Sequence, residues 1–360
     1  MQALILVGGE GTRLRPLTTH VPKPVVTLVD RPFLRYMIDW LARHGVDDVV
    51  MACGFLPDQL RDTLGDEVAG VRLRYVEEPE PRGTAGAIKF AADHLDDRFL
   101  ALNGDVLTDL DLTALIAQHE GAGARATLAL YPVADPSAYG LVRRTEAGAI
   151  TEFLEKPDPA EIDTDEINAG AYVLEKEILD IVPEGEDFSI ERQVFPELVG
   201  NGLYAKRLEG YWMDIGTPER YLEACWDILD GNVQSEPGSK VDGDGVYIDA
   251  AAEVLDGAEV SGPAFVEGGA TLAAGSAVGA RAVIGAGTSV GERARVTGSA
   301  LHPDCRIGAG AAVEGAILGA GVVVEDGAEV PDGAVIGAGA TITGSAALGA
   351  GARVGPGESA

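Results

Sequence analysis

Cysteine and long apolar runs are both scarce in this chain of 360 residues. The three cysteines, Cys53, Cys225 and Cys305, are odd in number and far apart, so they form neither a disulfide framework nor a metal-ligand spacing. Such usage is typical of a reducing compartment, and we expect a cytoplasmic protein. No stretch approaches the roughly 20 apolar residues of a membrane span, and no signal peptide is apparent. We therefore expect no membrane partner.

Positive charge is scarce as well, with 27 Lys and Arg residues against 58 Asp and Glu and a net charge of −31. The phosphate backbone of a nucleic acid would repel such a chain, so we expect no nucleic-acid partner. An acidic surface of this size would be well screened in a salty cytoplasm, and we hypothesise a high-salt habitat. Maximal stability and activity of the purified protein at low salt would contradict that hypothesis.

The N-terminus has a short apolar strand, residues 4–7, that leads into Gly8-Gly9-Glu10-Gly11-Thr12-Arg13. Glycine has no Cβ, so backbone N–H groups of such a turn can approach phosphate oxygens, and Arg13 adds a positively charged fork. The pattern is neither a Walker loop, which needs Gly-Lys before Ser or Thr, nor a dinucleotide fingerprint, whose third glycine is replaced by Leu14. An ordinary tight turn is the alternative, but Arg13 and the nearby Lys23-Pro24 favour a phosphate cradle.

Residues 1–230 alternate strand-like and helix-like segments. Apolar spacing predicts helices over 33–44, 57–64, 84–95 and 190–199, and strands over 48–53, 71–76 and 98–102. This alternation is typical of an α/β domain with a Rossmann-like, doubly wound mixed sheet. Residues 231–245 are rich in Gly, Ser, Pro and Asp and predict a linker.

From residue 246 to 360 the aliphatic residues recur every six positions, as in Ile336, Ile342, Leu348 and Val354. The phase slips by one residue before Leu301 and again before Leu318, and small residues fill most intervening positions. A period of six predicts a parallel β-helix of hexapeptide repeats, with about three hexads per coil and about six coils. A disordered tail is the alternative, but disorder does not keep aliphatic residues in register.

Several motifs together resemble those of the sugar-nucleotide pyrophosphorylases, a nucleotidyltransferase family, over nearly the whole chain. The motifs are residues 8–18, Pro22-Lys23-Pro24, Gly83-Thr84-Ala85-Gly86-Ala87, Leu102-Asn103-Gly104-Asp105, Tyr139-Gly140, Phe153-Leu154-Glu155-Lys156-Pro157, Ile167-Asn168-Ala169-Gly170 and Trp212-Met213-Asp214-Ile215-Gly216. Within the family, Asp187-Phe188-Ser189-Ile190-Glu191, Val194-Phe195-Pro196 and the segment 210–216 look most like mannose-1-phosphate guanylyltransferases with a C-terminal left-handed β-helix.

The resemblance implies that GTP and mannose 1-phosphate react to give GDP-mannose and pyrophosphate. Because the sugar phosphate is already an anionic nucleophile, catalysis requires positioning and charge neutralisation rather than a general base. We expect Arg13 to stabilise the leaving pyrophosphate and Lys23 to reach the phosphates as a compact cation. Asp105 and Asp214 would bind one Mg²⁺, although either aspartate alone could be a turn or cap residue.

The resemblance also implies roles for other residues of these motifs. The nucleotide would contact Leu6, Gly8, Gly9, Gly11, Thr12, Glu78, Gly83 and Thr84. The sugar phosphate would contact Gly140, Glu155, Lys156, Asn168 and Gly170.

The choice of base depends on Glu78, since guanine offers N1–H and N2–H₂ donors that a carboxylate can accept. The glutamates of this segment could equally belong to a generally acidic surface. Transfer from dTTP or UTP to glucose 1-phosphate therefore remains an alternative, as does a regulatory subunit that binds sugar nucleotides without catalysis. Presence of Arg13, Lys23, Asp105 and Asp214 favours an enzyme.

Two further expectations concern the repeat region. His302 stands at a slip in the hexad phase, where β-helix acyltransferases have a catalytic histidine, but a solvent-facing loop residue is the more common case. A rod of stacked coils also favours a homo-oligomer whose copies associate through the β-helix.

Overall fold

The computed structural model describes residues 1–241 and 243–360. Their backbone contacts divide the chain into two compact units. The first comprises Met1–Gly9 and Leu34–Trp212, and the second comprises Glu10–Phe33 and Met213–Ala360. Residues 10–33, which follow Gly8 and Gly9, therefore pack with the C-terminal part of the chain.

The first unit is built on a ten-stranded mixed sheet. Its strands are β1 Gln2–Leu6, β2 Asp48–Cys53, β3 Glu67–Val68, β4 Val71–Glu77, β5 Arg98–Asn103, β6 Ala126–Pro132, β7 Gly140–Arg144, β8 Ile150–Glu155, β9 Glu166–Glu175 and β10 Leu203–Arg207. Along the main path the order is β8-β7-β9-β5-β1-β2-β4-β3, and β6 pairs with both β9 and β10. Short strands Val106–Thr108 and Trp212–Asp214 lie outside this sheet.

Parallel pairing is concentrated at the centre of this sheet. β1 runs parallel to β2 and β5, and β2 runs parallel to β4, whereas β9 is antiparallel to β5. The central strands are continuous apolar runs, because both faces are covered, and Leu4, Val50 and Phe99 are completely buried. The carboxyl ends of β1, β2, β4 and β5 therefore gather at one edge, where the first candidate residues lie.

Within residues 1–241 and 243–360, the α-helices are α1 Phe33–Arg43, α2 Pro57–Leu64, α3 Gly83–Phe90, α4 Leu112–Ala122, α5 Phe195–Leu198, α6 Pro218–Leu229 and α7 Glu236–Lys240. Two predicted helices are shorter than expected. The one expected over 84–95 ends at Phe90 and is followed by a 3₁₀ turn, Ala92–His94. The one expected over 190–199 divides into a π-helical turn, Ile190–Val194, and α5, whose second residue is a proline that lacks an N–H to donate.

The C-terminal part of the second unit consists of three parallel sheets whose short strands alternate along the chain. The first contains Val246–Ile248, Ala264–Val266, Ala282–Ile284, Ala300–Leu301, Ile317–Leu318, Val335–Ile336 and Arg353–Val354. The second contains Glu253–Val254, Thr271–Leu272, Ser289–Val290, Arg306–Ile307, Val323–Val324 and Thr341–Ile342. The third contains Glu259–Val260, Ala277–Val278, Arg295–Thr297, Ala312–Glu314 and Glu329–Val330.

The pairing register of these sheets follows the hexad pattern. Val266 pairs with Ile284, 18 positions later (284 − 266), while Ile284 pairs with Leu301 after 17 (301 − 284). Leu301 pairs with Leu318, again after 17 positions (318 − 301), so both phase slips are absorbed without losing the stack. The aliphatic residues form one buried core. The predicted fold, a Rossmann-like mixed sheet followed by a hexapeptide-repeat β-helix, is confirmed.

The predicted linker, residues 231–245, contains α7, and its residue Asp242 lies outside the described residues. Ser235 caps α7 by accepting a hydrogen bond from the Gly238 amide. Arg31 forms ion pairs with Asp30 at 2.7 Å and with Glu236 at 2.8 Å, which join α7 to the hairpin of Thr27–Leu28 and Arg31–Pro32. Among the described residues, no helix is both long and apolar enough to cross a bilayer.

Candidate functional site

The loop after β1 meets the ends of two neighbouring strands. A Cβ added at Gly8 would lie 3.7 Å from the Gly54 nitrogen and 4.0 Å from Glu78 Oε1. The Glu78 amide donates to the Cys53 carbonyl, which fixes the chain after β4 against the end of β2. Gly9 is exposed. The structure thus brings Gly8 and Glu78 together, as expected if one ligand contacts both.

Glu78 has an electrostatic environment unlike that of its exposed neighbours Glu77 and Glu80. Its side chain is half-buried, and burial raises its pKa, while a hydrogen bond from the Arg82 backbone and the charge of Arg82 lower it. A desolvated carboxylate gains more from a ligand that donates hydrogen bonds than a solvated one does. Glu78 is therefore suited to accept from a base edge.

The fourth parallel strand that reaches this edge, β5, delivers Asp105. The Gly104 amide donates to the Leu6 carbonyl at 3.0 Å, and a Cβ on Gly104 would lie 2.5 Å from that oxygen. Only glycine permits this approach of β5 to β1. Asp105 follows directly and is half-buried at the carboxyl end of the sheet.

The N-terminus of α3 is tied to a distant segment. Gly83 has a φ of 66°, and a Cβ there would lie 2.4 Å from Asp187 Oδ1. The hydroxyl of Thr84 donates to Glu191 Oε2 at 2.7 Å and accepts from the Ile190 amide at 2.9 Å. Gly83 and Thr84 thus lie together, held by the motif at 187–191.

Four residues of the predicted sugar-phosphate set lie in mutual contact. A Cβ on Gly140 would lie 3.0 Å from Glu155 Oε2 and 3.4 Å from Asn168 Cβ. Asn168 donates to the Tyr172 hydroxyl at 2.8 Å and accepts from the Gly170 amide at 3.0 Å. Gly170, at a φ of 72°, contacts Asn103 at the end of β5. The arrangement joins β7, β8 and β9 to the strand that delivers Asp105.

Glu155 and Lys156 differ in their surroundings. Burial is the largest cause that raises the pKa of Glu155, and the carboxylate of Glu191 raises it further, whereas Lys156 and Arg192 lower it. Lys156 is exposed, has a φ of 53° and donates its amide to the Tyr139 carbonyl at 3.1 Å. The left-handed backbone ends the regular alternation of β8, and an exposed cation follows a half-buried carboxylate.

Glu191 belongs to the motif at residues 187–191, but the sequence alone indicates no role for its side chain. The structure places its carboxylate against Thr84 and within electrostatic range of Glu155, so it connects the two predicted groups of the first unit. Trp212 packs against the rings of Tyr131 and Tyr139 and donates to the Ala169 carbonyl at 2.8 Å. It is buried, so its role is to support the Asn168–Gly170 turn.

The second unit contains the cationic part of the predicted site. Gly11 has a φ of 61°, and a Cβ there would lie 2.9 Å from Lys23 Cβ. The Thr18 hydroxyl donates to the Gly11 carbonyl at 2.7 Å. A 3₁₀ turn, Thr12–Leu14, buries Leu14 and leaves Thr12 and Arg13 exposed, while Lys23 is only 7% exposed. The two predicted cations therefore differ: Arg13 extends into solvent and Lys23 is held by packing.

Asp214 lies beside Arg13. Its Oδ1 accepts from the Gly216 amide at 2.8 Å, and Arg220 lies 3.4 Å from its Oδ2. A Cβ on Gly216 would lie 2.5 Å from Arg13 Nη2 and 2.8 Å from Asp214 Oδ1. Thr217 caps α6 by accepting from the Arg220 amide, which fixes the turn between Asp214 and the helix. Arg13 and Asp214, which are 201 positions apart in sequence (214 − 13), thus both adjoin Gly216.

Among residues 1–241 and 243–360, no three His, Cys, Asp or Glu side chains form a group that could hold a metal ion by themselves. Asp105 lies in the first unit and Asp214 in the second, and each presents carboxylate oxygens of the kind that Mg²⁺ prefers.

His302 differs from the solvent-facing residue that is common at such positions. It is 9% exposed, its Nε2 lies 2.9 Å from the Tyr221 hydroxyl, and burial lowers its pKa to about 4. A buried ring hydrogen-bonded to a tyrosine is poorly placed to take a proton from an incoming substrate. The geometry therefore does not favour acyl transfer.

Comparisons with known proteins agree with this architecture. A family model described as nucleotidyl transferase matches residues 2–231, and one described as GMPPB C-terminal domain matches residues 246–356. A mannose-1-phosphate guanylyltransferase of Mycobacterium tuberculosis is 37% identical over 271 residues, which are 72% of this chain and 75% of the relative. A probable mannose-1-phosphate guanylyltransferase 2 of Arabidopsis thaliana is 39% identical over 272 residues, or 71% and 74% of the two chains.

Solved structures also resemble this chain. The crystal structure of HddC from Yersinia pseudotuberculosis has a TM-score of 0.55 and 30% sequence identity, and it covers 62% of this chain and 97% of its own. A second structure of HddC, complexed with GMP-PN, has a TM-score of 0.54 with the same identity and coverage.

Proposed function

Because the chain belongs to the nucleotidyl transferase family, we propose that it converts GTP and mannose 1-phosphate into GDP-mannose and pyrophosphate. A phosphate oxygen of mannose 1-phosphate forms a bond to the α-phosphorus of GTP, and the bond from that phosphorus to the β-phosphate bridging oxygen breaks. Pyrophosphate leaves with the electron pair. Several relatives named mannose-1-phosphate guanylyltransferase support this assignment.

The observation that carries the choice of GTP is the half-buried carboxylate of Glu78 beside Gly8. Guanine presents two adjacent donors, N1–H and N2–H₂, to such an acceptor, whereas uracil and thymine present one donor flanked by acceptor oxygens. The second HddC structure is complexed with GMP-PN, a guanine nucleotide analogue, which agrees with this choice.

The remaining residues divide by charge. Amides of Gly8, Gly9 and Gly11, with Thr12 nearby, would receive the phosphates, and the cations of Arg13 and Lys23 would neutralise charge on the departing pyrophosphate. Glu155 would accept sugar hydroxyls, Lys156 would bind the sugar phosphate, and Gly140, Asn168 and Gly170 would shape that pocket. Gly83 and Thr84, the first residues of α3, would fix the base-binding turn, and Leu6 at the end of β1 would contact the nucleotide as well.

Members of this family typically use a divalent metal, and we propose Mg²⁺ for this chain. Asp105 and Asp214 would hold it. When bound, the ion would withdraw charge from the phosphate oxygens during displacement. Arg220 and the Gly216 amide orient Asp214 for that purpose.

We also propose that residues 1–230 form the nucleotidyltransferase domain, 231–245 a linker and 246–360 the β-helix, and that the protein is a cytoplasmic homo-oligomer associating through the β-helix. The separate matches over 2–231 and 246–356 support the boundaries. Sedimentation of the whole protein tests the assembly, and a monomer at micromolar concentration would contradict it.

Pyrophosphate release from a panel of NTPs and sugar 1-phosphates tests the reaction. We expect the highest kcat/KM with GTP and mannose 1-phosphate. Preference for dTTP or UTP with glucose 1-phosphate would replace our assignment by the alternative, and no release with any pair would indicate a regulatory subunit. Glu78→Gln should lower kcat/KM for GTP by about tenfold and that for UTP much less, whereas the exposed neighbour variant Glu77→Gln should change neither.

A further inference from the structure

His302 projects outward from the first sheet of the β-helix. His302 follows Leu301, which pairs with Ile284 and Leu318 in the neighbouring coils. Each of those two partners is followed by a glycine. Outward residues of a β-helix are normally solvated, yet His302 is only 9% exposed because Tyr221 of α6 packs on it, with ring centroids 6.2 Å apart.

A hydrogen-bonded chain begins at this ring. The Tyr221 hydroxyl donates to the carbonyl oxygen of Thr27, and His302 Nε2 lies 2.9 Å from the same hydroxyl. A phenol has one hydrogen to donate, so the histidine must donate its Nε2–H to the tyrosine oxygen. Tyr221 thus ties the Thr27 carbonyl to the imidazole of His302.

Thr27 is linked through the backbone to the predicted phosphate-binding residues. The Val26 amide, one residue earlier, donates to the Lys23 carbonyl at 3.2 Å, and the Phe33 amide donates to the Val26 carbonyl at 2.9 Å. Lys23 in turn packs against Gly11, where an added Cβ would lie only 2.9 Å from Lys23 Cβ. Each of these contacts lies within the second unit, and together they run from His302 to the phosphate loop.

We propose that His302 is a positioning residue for nucleotide binding: through Tyr221 it fixes the Thr27 carbonyl and hence the placement of Lys23 and Gly11. The expected effect of His302 on GTP kinetics rests on the proposed function, whereas the hydrogen-bonded chain from His302 to Thr27 does not depend on it. The β-helix thereby takes part in substrate binding by the N-terminal loop. Loss of either side-chain bond lets the 23–27 turn shift, and the cost falls on the triphosphate rather than on the sugar phosphate.

Full-length Tyr221→Phe and His302→Phe test this proposal. Each keeps a ring and removes hydrogen bonds, so we expect kcat/KM for GTP to fall about three- to tenfold, with KM for mannose 1-phosphate changed less than about twofold. His302→Gln retains an N–H donor and should recover most of the loss. Tyr247→Phe is the matched control, because it removes the hydroxyl that Tyr247 donates to Asp249 in the first coil, and should behave as wild type.

Hydrogen exchange of the amides of residues 18–30 gives a readout that does not require turnover. We expect faster exchange there in Tyr221→Phe and His302→Phe but not in Tyr247→Phe. If wild type lacks pyrophosphate release but the exchange pattern appears, the proposed function fails and the positioning chain stands. Unchanged exchange and unchanged GTP kinetics, or a fall in thermal stability with both KM values unaltered, would overturn the positioning role.

Discussion

The Thr84 hydroxyl donates a 2.7 Å hydrogen bond to Glu191 Oε2 and accepts one from the Ile190 amide. It thereby joins the start of α3 to the π-helical turn, Ile190–Val194, which also contributes the charge beside Glu155. The side chain of Thr84 is thus engaged with protein, and under the proposed function it would act by holding this turn.

Thr84→Val tests that relationship. It leaves the Ile190 amide and the Glu191 carboxylate without this partner, which costs about 1–3 kcal/mol of stability if both stay buried. We expect a higher KM for both substrates, because Glu191 influences Glu155 as well as α3. Steady-state kinetics and urea unfolding check this. Thr84→Ser, which keeps the hydroxyl, should stay near wild type, and equal behaviour of the two variants would contradict the proposal.

Gly216→Ala should impair catalysis more than stability. The new Cβ would lie 2.5 Å from Arg13 Nη2 and 2.8 Å from Asp214 Oδ1. The exposed Arg13 side chain can move aside at little energetic cost, so the unfolding free energy should change by less than about 1 kcal/mol, while kcat falls by about tenfold or more. Gly121→Ala in α4 is the control, because its Cβ would meet no other described atom within 4 Å. Normal turnover of Gly216→Ala would argue against a role for Arg13 beside Asp214.

Asp105→Asn and Asp214→Asn test the metal assignment. If each carboxylate binds Mg²⁺, either change should cost several kcal/mol of transition-state stabilisation, on the order of 10²- to 10⁴-fold in kcat/KM. The Mg²⁺ concentration that gives half-maximal rate should rise in both. Asp109→Asn is not a suitable comparison because Asp109 accepts from the Tyr211 amide; Asp111→Asn, at the cap of α4, preserves folding chemistry and should leave the Mg²⁺ dependence unchanged. Near-normal turnover in either test variant would refute the assignment for that residue.

His302 makes stability depend on pH. Burial lowers its pKa to about 4 from 6.5, so between those values the unfolded chain binds the proton that the folded chain refuses. The free energy of unfolding therefore declines as pH falls from 6.5 towards 4, by up to about 3 kcal/mol. Above pH 6.5 this histidine makes no pH-dependent contribution. Urea unfolding should show that the wild-type protein loses stability relative to His302→Gln as pH falls from 6.5 towards 4. A difference independent of pH would contradict the burial.

Glu236 should also make stability fall as pH falls, but in a lower pH range than His302. Hydrogen bonds from Arg31 and Lys240 lower its pKa to about 2 from 4.5. Its contribution is fully present above pH 4.5 and is lost as pH falls through about 2. Because the side chain is 57% exposed, solvent screening limits the effect to less than about 1 kcal/mol. The stability difference between wild type and Glu236→Gln should shrink between pH 6 and pH 3, and a difference that grew would exclude this ion pair as the cause.

Two kinds of residue could be located from the sequence: aliphatic residues that recur at a fixed spacing, and polar residues that follow the end of a strand. Hexad spacing located Ile284, Leu301 and Leu318 because each must enter a narrow core, and strand ends located Asp105 because parallel strands finish at one edge. Glu191 and Tyr221 were assigned no role because their importance lies in contacts more than 80 residues away. The interruption of the helix expected over 190–199 follows from local packing and a proline rather than from apolar spacing.

Residues 10–33 pack in one unit with residues 213–360, although the nucleotidyl transferase match ends at residue 231. A hybrid protein that exchanges everything after residue 245 for the rod of a homologue would therefore retain Tyr221 but receive a foreign residue in place of His302. Such grafts should keep full nucleotide affinity only when the donor rod supplies an N–H at the position opposite the tyrosine. The practical unit of exchange among these enzymes is a rod together with the loop it supports.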